Sequence, residues 1–308
     1  MVDDFDHQLL NSAKREIEQI HYITGKRLAT TRVLVLLYAA LQFWVVVMQL
    51  KTTAFIVLAI FAFVRPAEAG LRIGVAAEPY PPFAVKDTTG KWDGWEIAMA
   101  QQLCAIIKED CEIVETAWDG IIPALQAKKI DVILASMSKT AKRREVIAFS
   151  DTYYKTAIVV TGAKSADKDI TPEHLKGKVM GVQTSTIQQA YFDKHYAAFA
   201  KGQTYQTQDQ ANQDLVAGRV DYVITNALSL AAFLGTDDGK CCEVKATVAP
   251  DDAVLGEGVG LGLRKEDTAL ATKLNDGLAA LAKDHAFEKL SAKFKMTGLI
   301  ITPDMGTK

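Results

Sequence analysis

The chain is 308 residues long, with 35 Lys/Arg against 37 Asp/Glu, a net charge of −2 and 49% hydrophobic residues. A weakly acidic chain without a basic stripe argues against nucleic-acid binding, and an even composition without low-complexity tracts argues for folded domains.

From the N-terminus, the first feature is a helical spacing of apolar residues, Phe5, Leu9, Leu10, Ile17, Ile20 and Ile23, with charges between them. Val33–Met48 follows, an apolar run broken only by Gln42 and slightly short of the roughly 20 residues that span a bilayer. Residues 48–69 then read as a complete secretory signal. Met48 serves as a start, Lys51 as the positive flank, Ala54–Val64 as the apolar core and Ala67-Glu68-Ala69 as the cleavage site. The mature chain is expected to begin near Gly70 and to work outside the cytoplasm. Residues 1–47 leave three readings open: an artefact upstream of the true start, part of one long signal-anchor, or a cytoplasmic helix followed by a span.

Beyond the signal, Leu71–Val75 is a short strand leading into the Pro-rich loop Glu78–Phe83. Glu96–Ile107 carries the apolar stripe of a helix, Glu112–Thr116 reads as a strand, Gly120–Ala127 as a helix, and Ile130–Leu134 as a buried strand. The rhythm restarts with strands at Ala157–Thr161 and Val179–Val182. Helices follow at Ser185–Tyr196 and Asp209–Ala217, a strand at Arg219–Thr225 and a helix at Ala227–Leu234. A Gly-rich strand, Gly256–Leu263, precedes terminal helices at Thr268–Asp284 and Ala286–Phe294. Alternation of strand and helix predicts an α/β fold with largely parallel strands, in two successive units. The natural crossing points lie near 155–161 and 257–263.

Cys104 and Cys111 lie seven positions apart, and Cys241 and Cys242 are adjacent. An oxidising compartment permits Cys104 and Cys111 to pair, buried free thiols being the alternative. A vicinal bridge strains its peptide, so Cys241 and Cys242 are expected to stay unbridged and without a role. Neither pair has CxxC spacing and histidines are sparse, so no metal site is expected. His174, His195 and His285 read as isolated surface residues, so no catalytic constellation and no cofactor are expected.

Four stretches carry a family resemblance: Tyr80-Pro81-Pro82-Phe83, Trp118–Leu125, Ile130–Arg143 and Ala217–Asp221, with Gly260–Lys265 as a weaker fifth. In this order and spacing the chain resembles the periplasmic solute-binding proteins of ABC importers, polar amino-acid and opine family. The resemblance covers about 71–300. It implies a type II two-lobed α/β fold, each lobe a mostly parallel sheet flanked by helices, joined by two hinge strands that close the cleft on a ligand. Lobe 1 would comprise residues 71–156 with 257–308, and lobe 2 residues 157–256. The resemblance also places Cys104 and Cys111 where some members carry a disulfide.

For the site, the resemblance implies that Arg143 holds the ligand carboxylate. A guanidinium offers paired donors to a carboxylate and stays charged when partly buried. Ser136, Met137 and Ser138 follow a buried strand at the end where α/β ligands bind. Tyr80 and Trp118 are placed to pack around the ligand, and Glu78 and Glu96 to face a basic side chain. In the second lobe, Gln183, Ser185, Thr186 and Gln188 surround a helix start suited to a carboxylate, although Ser185 and Thr186 also read as ordinary helix caps. Asn226 stands where the family usually has an Asp that accepts the ligand's α-ammonium. That departure points to an amino-acid derivative, opine-like or betaine-like. The expected partners are this small molecule and an inner-membrane permease, with the chain itself a periplasmic monomer. The rival readings are a cyclohexadienyl dehydratase-like enzyme on the same fold and a membrane-anchored sensor. The sensor reading is disfavoured because no signalling domain follows Lys308.

Overall fold

The computed structural model describes residues 70–297 and, upstream, the helical positions Arg15, Glu16, Glu18, Gln19, Tyr22, Ile23 and Phe43. Residues 1–69 form one unit and residues 70–308 another. The expected signal over 48–69 lies outside the described residues, as do most of residues 1–47. Among the described residues no helix is long and apolar enough to cross a membrane.

Among the described residues twelve strands follow in chain order: β1 (Leu71–Ala76), β2 (Val85–Lys86), β3 (Trp92–Asp93), β4 (Cys111–Thr116), β5 (Val132–Ile133), β6 (Ala148–Phe149), β7 (Ile158–Ala163), β8 (Val179–Gln183), β9 (Lys201–Tyr205), β10 (Tyr222–Asn226), β11 (Cys242–Thr247) and β12 (Gly262–Leu263). They build two five-stranded sheets, β4-β1-β5-β12-β6 and β11-β7-β10-β8-β9, and a β2-β3 hairpin. In the first sheet β1 runs parallel to β4 and β5, while β12 is antiparallel to β5 and β6. In the second, β10 is parallel to β8 and β8 to β9, while β7 is antiparallel to β10 and β11. Each sheet thus has a single reversed strand, β12 or β7, and both reversed strands adjoin the segments where the chain crosses between lobes. At the crossing, Val259 N donates to Tyr154 O (2.9 Å) and Tyr153 N to Val259 O (3.0 Å), which ties the two crossing segments together.

The first lobe's core is aromatic and lies directly under the cleft. Trp95, which opens the helix Trp95–Ile107, is fully buried. It stacks on Tyr153 (6.2 Å between centroids) and Phe287 (5.9 Å), while Phe83 stacks on Tyr154 (5.0 Å) and Tyr80 (5.6 Å). Such pairs add to the area term of burial. Gly94, before this helix, has φ +128°, and a Cβ there would lie 2.3 Å from Phe83 O. Only glycine allows the Phe83 loop and the helix to approach so closely. The packing matters because that loop carries Tyr80 and the helix's second residue is Glu96.

Cys104 and Cys111 are bridged, with Cα atoms 6.2 Å apart, joining the end of a helix to the start of β4. Replacing both by Ser should cost about 2–3 kcal/mol by loop-closure entropy for so short a loop. Urea unfolding of the oxidised wild type and the double variant measures it, and coincident midpoints would refute a stabilising role.

The vicinal pair corrects the sequence expectation: Cys241 and Cys242 are bonded to each other. Cys241 closes a 3₁₀ turn, Asp238–Cys241, and Cys242 opens β11. The abrupt change from tight turn to extended backbone brings the two side chains together. Other strands lacked an apolar signal. β9 reads Lys-Gly-Gln-Thr-Tyr and is almost wholly exposed at the sheet edge, while β6 and the β2-β3 pair are two-residue strands. The expected strands Ile130–Leu134 and Gly256–Leu263 shrink to Val132–Ile133 and Gly262–Leu263. Residues around them make isolated bridges, including Val259 with Ser138 and Tyr154.

Candidate functional site: a cleft between two sheets

A cavity of about 290 Å³ lies between the lobes, close to the lower end of the range for small-molecule sites. Its walls come mainly from strand ends and the loops that follow them, as expected for α/β sheets. Glu78, Tyr80, Glu96, Trp118, Ser136, Ser138 and Arg143 line it from the first lobe, and Gln183, Thr186, Gln188 and Asn226 from the second.

Arg143 sits in the short helix Ala141–Arg144, capped by Thr140, whose hydroxyl accepts from Arg143 N. Its Nη1 donates to Ser138 O (2.9 Å) and its Nη2 to Ser185 O (3.1 Å), so one guanidinium touches both lobes. The guanidinium carbon lies 5.3 Å from the Trp118 ring, within cation–π range. Burial pushes its pKa down to about 10, which leaves it a cation at neutral pH. Two carbonyls and an aromatic face therefore hold the group while the rest of its donor fork remains open to the cleft. Its neighbour Arg144 is exposed and pairs with Glu257.

Two expected contacts change. Met137 is buried in an apolar cluster with Ile121, Leu125, Ile130, Ile133 and Ile147. Ser136 and Ser138 line the cleft while Met137, between them, faces the core. The Ser185 hydroxyl is not part of the cavity wall. Ser185 has φ +59°, its N–H is taken by Gln189 Oε1 (2.8 Å), and its carbonyl is the group that meets Arg143. Ser136 also has positive φ, +51°. Such backbone in a non-glycine residue is uncommon and collects at ligand clamps.

Thr186 lines the cleft, but its hydroxyl serves the helix: Oγ1 donates to Gln183 O (2.6 Å) and accepts from Gln189 N (3.1 Å). Gln183 Nε2 donates to Gln206 O (3.0 Å), which fixes the side chain and leaves Oε1 on the opposite side. Glu78 Oε1 accepts from Trp118 N (3.2 Å), linking the two loops that carry them.

Glu96, expected to face a basic ligand side chain, lines the cavity but is only 1% exposed. It accepts from the Tyr153 hydroxyl, from Ser136 N (3.0 Å) and from Ser136 Oγ (2.9 Å). Desolvation outweighs these bonds and raises its pKa from 4.5 to about 7. The buried hydroxyls of Tyr153, Tyr154 and Tyr80 are in turn pushed up, chiefly by burial and then by the charge of Glu96. The folded protein thus holds the Glu96 proton more tightly than the unfolded chain does. Its contribution is fully present below pH 4.5 and is lost as pH rises through about 7, a difference on the order of 3 kcal/mol. Glu96→Gln should remove this part of the slope: between about pH 5 and about pH 8 its melting temperature should fall less than that of the wild type. Parallel pH–melting curves for the two proteins would refute the assignment.

Several cleft residues escaped the sequence reading. Gln208, Thr156 and Asp251 line the cavity. Asp251 Oδ2 lies 2.6 Å from Lys194 Nζ and 2.7 Å from His195 Nε2. Hydrogen bonds from these two lower its pKa to about 2. His195 is therefore not isolated, and His174 likewise lies 2.9 Å from Asp169. The only local signal was Pro250-Asp251-Asp252, a turn before a short helix. The pairing depends on residues more than fifty positions away.

The model of bacterial extracellular solute-binding proteins, family 3, matches residues 71–297. The chain belongs to that family. This solute-binding protein is 38% identical over 227 residues to the histidine-binding periplasmic protein of Escherichia coli (strain K12), covering 72% of this chain and 86% of that one. It is 36% identical over 230 residues to the octopine-binding periplasmic protein of Rhizobium meliloti, covering 67% and 77%. Among solved structures it resembles an ancestral amino acid-binding protein, a precursor of cyclohexadienyl dehydratase. The TM-score is 0.64 at 31% identity, covering 73% of this chain and 94% of that one. The two-lobed α/β fold read from the sequence is the fold of these proteins.

Proposed function

We propose that this solute-binding protein captures an amino acid or amino-acid derivative between its lobes outside the cytoplasm and delivers it to an ABC permease, without catalysis. One observation carries the reading: the half-buried Arg143 guanidinium, held by a carbonyl from each lobe, faces a cavity of small-molecule size. A carboxylate fits that fork, and contacts to both lobes make its binding favour closure. The names of the histidine- and octopine-binding relatives support the ligand class and the periplasmic setting. Glu78, Tyr80, Trp118, Ser138, Gln183 and Gln188 are assigned as further contacts, with Glu96 beneath them.

Glu96 also favours a second reading, the dehydratase, since a carboxyl with a pKa of about 7 in a cleft has the profile of a general acid. Its two oxygens are, however, taken by Tyr153 and Ser136. A native mass spectrum of protein from its own source, followed by calorimetry with the released compound, tests both. A carboxylate ligand that leaves unchanged supports capture. A ligand without a carboxylate would overturn it, and product formation would favour the enzyme.

A further inference from the structure

Asn226 ends β10 and caps the helix Ala227–Leu234. Its Oδ1 accepts from Leu228 N (2.8 Å) and Ser229 N (3.4 Å). These first-turn N–H groups have no partner within the helix, and each needs an acceptor. Their demand fixes which end of the amide is oxygen, because a flipped side chain would set N–H against N–H. The acceptor oxygen of Asn226 is therefore already used. What remains is Nδ2, two donors on a side chain that is 5% exposed and lines the cleft. Among the described residues no protein acceptor takes them. The helix's positive end lies at the same place and adds to their sign.

An Asp at this position would cap the helix with one oxygen and offer the other to an ammonium. Asn caps equally well and offers only N–H. The exchange inverts the preference of this part of the cleft while leaving the backbone unchanged. Thr156 also lines the cavity, and among the described residues its buried Oγ1 has no hydrogen-bond partner, so it too can donate to a ligand oxygen.

We propose that Asn226 makes the cleft selective for a ligand that places an oxygen acceptor, not a primary ammonium, on the carbon beside the carboxylate held by Arg143. This rests on the carboxylate-capture reading above. A hydroxyl or carbonyl at that carbon supplies such an oxygen, and so does the second carboxylate of an N-carboxyalkyl amino acid.

The test is calorimetry on wild type and Asn226→Asp with matched probes. Each common L-amino acid is compared with its 2-hydroxy acid and with its N-(1-carboxyethyl) derivative. Asp keeps the cap, so the variant should melt near the wild-type temperature, and Asn226→Ser provides a second neutral variant that keeps a capping oxygen. For the side chain that fits best, wild type should bind an oxygen-bearing probe at least about tenfold more tightly than the amino acid, and Asn226→Asp should reverse that order. Preference for the hydroxy acid or for the carboxyethyl derivative tells which oxygen source is used. Wild type binding a primary amino acid most tightly, with that binding lost in Arg143→Ala, would overturn this proposal and leave carboxylate capture standing. Binding of no probe by wild type would overturn both.

Discussion

Arg143→Ala should weaken binding of a carboxylate ligand by roughly thirty-fold to several thousand-fold, the effect of leaving a cleft anion unpaired at about 2–5 kcal/mol. The fold should survive. Arg143 lies in a four-residue helix whose cap comes from Thr140, and the side chain's protein bonds go to two carbonyls, Ser138 O and Ser185 O. Arg143→Lys should recover only part of the affinity, because an ammonium keeps the charge but lacks the planar fork. Since Nη2 reaches the second lobe, the Ala variant should also be more open in solution without ligand, visible as a larger radius of gyration by small-angle scattering. Calorimetry decides the main point. Unchanged affinity at a wild-type melting temperature would mean that Arg143 holds the lobes and not the ligand.

Asp131→Ala should be the most damaging polar substitution outside the cleft. The Asp131 carboxylate receives Arg72 N (3.2 Å), Nε (2.8 Å) and Nη2 (2.9 Å), and Arg264 Nη2 (3.0 Å). Arg264 is 10% exposed at its side chain and also donates to Leu125 O (3.1 Å) and Ile130 O (2.7 Å). The cluster joins β1, the approach to β5 and the residue just after β12, three parts of the first sheet that are distant in sequence. Removing the carboxylate takes four hydrogen bonds from two arginines, while Arg264 keeps Asp267, whose Oδ2 lies 2.7 Å from its Nε. The cost should be about 2–3 kcal/mol, or roughly 5–10 °C in melting temperature for a chain of this size. Asp131→Asn keeps an acceptor and should lose less. Burial pushes the Asp131 carboxyl up, but the hydrogen bonds and charge of Arg72 with the bond from Arg264 together outweigh it and hold its pKa below the usual value. Its contribution is therefore present above pH 3.8 and disappears as acid carries the protein through the lowered value. A thermal melt of Asp131→Ala within about 2 °C of wild type would show that the cluster stabilises nothing.

The long helices were legible because their apolar stripes are unbroken. Thr268–Lys283 and Trp95–Ile107 lie within a residue of where the periodicity places them. Strands with an exposed face were not legible. Nothing apolar alternates in Lys201–Tyr205, which earns its place by hydrogen bonding to β8 along its whole length. At the cleft, it was the family resemblance that brought Arg143, Tyr80, Trp118 and Asn226 forward, whereas direction and burial stayed hidden. Met137 turns inward between two serines that line the cleft. Glu96 sinks beneath the cleft onto Tyr153, fifty-seven positions away. Asn226 was recognisable as a departure, but which of its atoms faces the ligand depends on two N–H groups that exist only once the helix forms. The Cys241–Cys242 bridge left no signal, since adjacency alone does not say whether the backbone between two cysteines is a turn or a strand.

The strand order also imposes a schedule on synthesis. All strands of the second sheet lie in one continuous stretch, Ile158 to Thr247, so that lobe can pair completely as soon as its own chain has emerged. The first sheet cannot, because β12 sits between β5 and β6 and is the last strand made. Until Gly262 and Leu263 arrive, β5 has an open edge and β6 has no partner in the sheet. The helix Thr268–Lys283, where Gly277 packs against Leu103 and Ile107, arrives later still. The lobe that begins first therefore finishes last, and its unpaired edge is the part of the nascent chain most exposed to mispairing.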